Sequence, residues 1–306
     1  MSRLLVRRVD RSARAVRAPI HARQGRLRCG RVTMLTAPPE GPSQRSHWIG
    51  ALAGKRTNAT TLSLVLPVKR GTSGTSGAFL AVASDDLRYW IKPLNNLQDP
   101  RVCVTEQIVG RIGHLLGAPT RRVATINIPD MKGWKFVADN DAAVLLPGIA
   151  HASLDLPSVI ETSQLEQRTK DSNASRHAHL LALYDLCWGD DSQWLLDLSD
   201  DFACHSFDHG HFFPQGPWWT TEDLERCLTA PRPLRTEDDD IDVAAVKGAI
   251  ARMRSLRHDE IVDVLAHIPT SWPVKDAELE MVGHFLLTRA PLVAHRLETR
   301  FREAAT

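Results

Sequence analysis

The segment CHSFDHGHFF, 204–213, sets His205, His209 and His211 around Asp208 and beside Cys204. Two chemistries compete for it. His205, His209 and His211 would share one face of an extended strand and could hold zinc. Catalytic zinc, however, takes three protein ligands on a rigid frame with a general base nearby, and no HExxH, HxE or distant CxxC supplies the rest. Gly210 also unsettles an extended geometry. Magnesium asks for less. It takes oxygen ligands, using one or two carboxylates and leaving the other positions to water and substrate phosphates. Asp208, just after a strand-like run and preceded by an acidic loop holding Asp190, Asp191 and Gln193, suits that chemistry.

Phosphoryl transfer needs three further parts: a backbone-rich turn over the phosphates, a lysine on a strand, and a helix carboxylate to hold the lysine. All three stand in order. The turn GTSGTSG, 71–77, offers Gly71, Gly74, Ser76 and Gly77, whose N–H groups can approach phosphate; Lys92 ends a strand; Glu106 sits in the first turns of the next helix. Taken singly, such residues are a turn, a solvated charge and a carboxylate complementing a helix dipole. Their order along the chain is what points to one site.

The elements that must position these residues follow from periodicity. AFLAVAS and RYWIK read as two strands about a turn at 84–86, and TTLSLVLPV, RRVATINIP and WKFVA also have strand character. Between them Val104, Ile108, Val109, Ile112, Leu115 and Leu116 form a helical stripe ended by Gly117 and Pro119. LLPGIAHASLDLP, from 145, reads as a connector. Helices are expected over 176–186, 243–256, 259–267 and 277–289, with a hairpin from short runs at 194–196 and 202–207. The acidic stretch RTEDDDID before 243 reads as a solvated N-cap.

The bounds are those of a globular enzyme. At 306 residues and 43% hydrophobic, the chain can build a large core in two lobes. No apolar window is long enough to span a membrane, and no signal peptide is visible, so the expected location is cytoplasmic. Cys29, Cys103, Cys187, Cys204 and Cys227 are odd in number and widely spaced, which fits free thiols in a reducing compartment. Eleven arginines fall within residues 1–50 against Asp10 and Glu40 alone. A basic arm of this kind can contact nucleic acid or an anionic surface, or resemble a transit peptide, but it lacks a sustained apolar face. Residues 1–46 therefore read as a solvated, disordered arm.

Two other motifs fail. GALAGKRT resembles a Walker A loop, but its glycines are too close together and Arg56 stands where Ser or Thr belongs; no GxGxxG opens a βαβ unit. What the chain does resemble, over about 65–289, is the HipA-like kinase family, a bacterial branch related in fold to protein kinases and phosphatidylinositol kinases. The likeness rests on GTSGTSGAFLAV, YWIKPLNN, VTEQIVGRIGHLLGAPT, LPGIAHAS, LYDLCWGDDSQWLL and FDHGHFFPQGPWW.

That resemblance implies an α+β, two-lobed protein-kinase-like fold, with a β-rich N-lobe over 47–147, a mostly helical C-lobe over 148–306, and ATP between them. It implies Mg²⁺-dependent phosphoryl transfer from ATP to an acceptor hydroxyl, such as a protein Ser or Thr. Residues 71–77 would cover the ATP phosphates, Lys92 would contact them and Glu106 would hold Lys92. Asp191 or Asp190 would be catalytic. Asp208 would be the main Mg²⁺ ligand and Gln193 would stand near the second. His209 would shape the loop, and Trp218 and Trp219 would pack beneath it. The chain departs from the family in its catalytic loop, where GDDSQWLL is short and offers glutamine in place of asparagine. A nucleotide-binding pseudokinase is therefore a second reading, and a zinc hydrolase using His205, His209 and His211 a third.

Overall fold

A computed structural model describes residues 44–60, 62–71, 77–138, 140–234 and 240–302. The basic arm, apart from its last residues, and Gly74 and Ser76 lie outside them. Five strands close into a barrel in the order β1-β2-β3-β5-β4: β1 is Leu62–Lys69, β2 Phe79–Ala83, β3 Arg88–Lys92, β4 Val123–Ile128 and β5 Gly148–Leu154. The neighbours are antiparallel except for the parallel β1–β4 pair that closes the ring. Its interior alternates small and large side chains, with Ala81, Ala150 and Ala152 leaving room for Phe79, Tyr89 and Ile91. Closure removes the exposed edges that an open sheet of this length would present.

Two strand expectations change. The supposed connector is β5, wedged between β3 and β4, and the expected lobe boundary at 147 falls just before it. Its alanines carry little strand propensity, so pairing on both sides makes the strand where local sequence does not. WKFVA forms no strand; Lys135 and Val137 make only isolated bridges, the second with Gly71.

Helix α1, Arg101–Leu116, follows the predicted stripe and stops at Gly117, whose φ of 69° is the left-handed cap a glycine adopts without strain. It is buried on nearly every side, touching β4 and β5 of the barrel and also the helices α2 (Asn173–Leu186), α4 (Val243–Arg254) and α5 (His258–Ala266). Short α3, Thr221–Arg226, precedes α4, and Asp242 caps α4 by accepting from the Ala244 and Ala245 N–H groups. The last helix, α6, is Asp276–Arg302 and runs well past the expected end at 289. Pro291 removes one internal hydrogen bond. The buried face of Val293, Ala294, Leu297 and Phe301 continues beyond it and outweighs that loss.

A second antiparallel sheet, β6-β7-β8, comprises Val159–Thr162, Trp194–Asp197 and Ala203–Ser206. The β7–β8 pair is the expected hairpin. Ser206 of β8 donates its N–H to the Pro119 carbonyl at 2.8 Å, which fixes the hairpin beside the end of α1.

Candidate active site

Lys92 closes β3 and is only 7% exposed, so its ammonium needs full compensation. It has two carboxylates. Nζ donates to Glu106 Oε1 and to Asp208 Oδ1, each at 2.5 Å. Burial alone would lower the ammonium, but Asp208 and then Glu106 outweigh it and hold Lys92 well above the ordinary lysine range. Burial likewise opposes the Glu106 carboxylate, and Lys92 overrides it, leaving the acid well below the usual range. At neutral pH Lys92 and Glu106 are therefore both charged.

Separate elements deliver the three. Asp208 follows β8 at a φ of 55°, a left-handed kink that aspartate tolerates better than most residues, before a single 3-10 turn at His209–His211. That turn rests on α1. A Cβ at Gly210 would come within 2.5 Å of Val102, so only glycine permits the approach. The second oxygen of Glu106 then accepts the His209 N–H at 3.0 Å, tying helix, strand and turn through one carboxylate.

These residues face a cleft of about 620 Å³, whose lining includes Gly77, Lys92, Glu106, Gln193, Asp208 and His209. Gly71 is not part of this lining; its N–H donates to the Phe136 carbonyl at 2.8 Å. The structure thus brings Gly77, Lys92, Glu106, Gln193 and Asp208 together. It does not bring Asp190 or Asp191 to the cleft wall. Asp190 pairs with the Arg232 guanidinium, and Asp191 Oδ2 accepts from Gln193 Nε2 at 2.5 Å.

Superposition on solved structures finds this architecture in CtkA, a proinflammatory kinase of Helicobacter pylori, with a TM-score of 0.53 and 12% identity over 82% of this chain and 99% of that one. The fold is protein-kinase-like. A looser overlap, with a TM-score of 0.40 and 10% identity, covers 82% of this chain and 77% of the Golgi casein kinase with Mn and ADP bound. No protein-family profile matches the sequence, and no curated protein sequence matches it significantly.

Within this kinase-like fold the three histidines diverge. His205 lies on β8 opposite Leu195, His209 meets Ser206 Oγ through Nε2 at 2.8 Å, and His211 meets Gln98 at 3.2 Å. No group of three His, Cys, Asp or Glu side chains among the described residues is arranged to hold a metal. The zinc reading fails on that geometry. His209 instead shapes the turn, backed by Ser206 and by Tyr184, whose hydroxyl is 3.2 Å from Ser206 Oγ. Of the two tryptophans expected beneath the loop only Trp219 is there, fully buried, with Nε1 donating to Thr105 Oγ1 at 3.3 Å. Trp218 is 62% exposed.

Sequence reading missed His151. It pairs with Lys92 across β3 and β5, is 1% exposed, and lies 3.1 Å from the Gln107 amide through Nδ1. Burial, ahead of its charged neighbours, pushes the imidazole down to about 4, so it stays neutral beside the ion pair. Only recognising GIAHASL as a strand could have revealed it.

Two oxygens among these residues have no hydrogen-bond partner among the described residues: Asp208 Oδ2 and Gln193 Oε1. A carboxylate and an amide oxygen form a hard donor set, the kind that magnesium accepts when phosphates and water complete the shell.

Proposed function

We propose that this chain is a HipA-like, two-lobed kinase that transfers a phosphoryl group from ATP, with Mg²⁺, to an acceptor hydroxyl, such as that of a protein Ser or Thr. The observation that carries the reading is Lys92, buried at the cleft wall and shared between Glu106 and Asp208. A lysine so held is fixed in position and charge, which is what phosphate recognition requires. In this reading Lys92 binds the ATP phosphates, Glu106 keeps it oriented, and residues 71–77 cover the phosphates with backbone N–H groups. Asp208 Oδ2 and Gln193 Oε1 would hold Mg²⁺, which when bound neutralises charge on the phosphate oxygens. Asp191, tethered to cleft-lining Gln193, is the better candidate to orient the acceptor hydroxyl; Asp190 is engaged by Arg232.

Cytoplasmic location is part of the same proposal. Cys103, Cys187, Cys204 and Cys227 are all buried free thiols, which suits a reducing compartment. No helix among the described residues is long and apolar enough to cross a membrane.

The test is a thermal-shift titration with Mg²⁺-ATP on wild type and Asp208→Ala, followed by a radiolabel transfer assay. A ligand at about 100 times its Kd should add roughly 2.7 kcal/mol to the wild type. Loss of magnesium-dependent stabilisation in Asp208→Ala, with transfer reduced at least 100-fold, is the expected result. Binding without transfer in wild type would mark a pseudokinase, and wild-type turnover in Asp208→Ala would end the assignment of that residue.

A further inference from the structure

A second cavity, of about 630 Å³, is bounded by α1, the barrel strands β1, β3 and β4, and the end of α5. Val123 is the one described residue it shares with the cleft. Its charged lining is Lys55, Arg111 and Arg122 against Asp85 alone. Asp85 is already engaged, accepting from Arg122 at 3.2 Å and from the Tyr89 hydroxyl at 2.8 Å. That leaves Lys55 and Arg111 with no carboxylate among the described residues.

Arg111 is the informative one. It is partly buried on α1, and its Nε donates to the neutral Gln107 Oε1 at 3.2 Å. Withdrawing a guanidinium from water without a counter-charge is costly, and here burial lowers its pKa with no acid offsetting it. The guanidinium fork suits an oxyanion such as phosphate or carboxylate, offering two N–H donors to two oxygens. Thr57 and Thr125 add hydroxyls to the same wall.

The geometry points to an anion-binding site in this cavity, separate from the cleft, that takes a small phosphate-bearing ligand between Arg111 and Lys55. Two uncompensated cations favour a dianion over a single carboxylate. The Gln107 that holds Arg111 also lies 3.1 Å from His151, the strand partner of Lys92, so the cavity wall is continuous with the support of the cleft. The binding claim rests on this cavity alone and not on the kinase reading.

Isothermal titration with pyrophosphate, in buffer without magnesium, tests it on wild type, Lys55→Gln and Arg111→Gln. Lys55 is exposed, so its substitution leaves packing intact even if Arg111→Gln folds poorly. Loss of one charge-assisted contact should weaken the pyrophosphate Kd about tenfold in Lys55→Gln, while stabilisation of that variant by Mg²⁺-ATP stays at the wild-type level. Absence of binding up to millimolar pyrophosphate, or a Kd unchanged in Lys55→Gln, would overturn the site. So would an equal loss of the Mg²⁺-ATP response, which would place the effect of Lys55 elsewhere.

Discussion

Glu106 has two oxygens with two different duties: Oε1 accepts from Lys92 and Oε2 from the His209 N–H. Glutamine has only one acceptor oxygen. In Glu106→Gln, an amide turned toward Lys92 would set its own N–H groups against His209, and the reverse orientation would set them against the ammonium. Lys92 would keep Asp208, but Asp208 would then be pulled from any other role. Breaking one arm of a buried ion pair costs about 3 kcal/mol or more. The expected result is a loss of that size in urea denaturation, together with weakened Mg²⁺-ATP binding. A variant within 0.5 kcal/mol of wild type, a margin of about the size seen for neutral surface changes, would show that Glu106 does not hold the site. The same residue-level logic explains why a histidine-rich segment is no zinc site. Each imidazole already has its own partner or strand position, and none converges on the others.

Helix α2 carries a histidine with a different consequence. His177 is fully buried, neither ring nitrogen has a hydrogen-bond partner among the described residues, and burial, with a smaller contribution from Arg168, pushes its pKa from the ordinary 6.5 down to about 4. A folded-state pKa below the unfolded one means that stability is intact above pH 6.5 and is lost as pH falls toward 4. At pH 5 the loss is about 2 kcal/mol from this group. His177→Leu should therefore be at least as stable as wild type at pH 7, and should lose about 2 kcal/mol less between pH 7 and pH 5. Urea midpoints at the two pH values check this, and parallel pH profiles would refute it. His151 on β5 adds a second acid-sensitive group of the same sign, so the variant should lessen the acid response without abolishing it.

Across the whole molecule, α6 ties distant parts of the helical region together through one side chain. Arg289 is fully buried and donates to the Asp185 carboxylate at 3.0 Å and to the carbonyls of Leu186, Cys227 and Ala230 at 3.1, 2.8 and 2.6 Å. Asp185 in turn accepts Arg296 at 2.7 and 2.8 Å. Methionine at 289 would fill much of the volume but remove the guanidinium donors from those buried carbonyls. Arg289→Met should lower global stability by about 3 to 5 kcal/mol, read as a drop in the urea midpoint with an unchanged slope. A shift below about 1 kcal/mol, the middle of the range for ordinary substitutions, would mean that the tie is dispensable.

The sequence alone determined the features that depend on nearby residues. The stripe from Val104 to Leu116 made α1, a glycine ended it, Asp242 capped α4, and the chain order of glycine-rich turn, Lys92, Glu106 and Asp208 supplied the pattern on which the proposed phosphoryl transfer rests. Periodicity and capping act over a few residues, so they can be read from the chain. Only the tertiary structure decided that GIAHASL is a barrel strand, that α6 runs through Pro291, and that Trp219 is buried while Trp218 is not. It also brought Lys92 onto Asp208, 116 positions away in sequence, and set His151 beside them. Those outcomes depend on pairing and burial between distant segments, whose free energy is realised only when the partners meet.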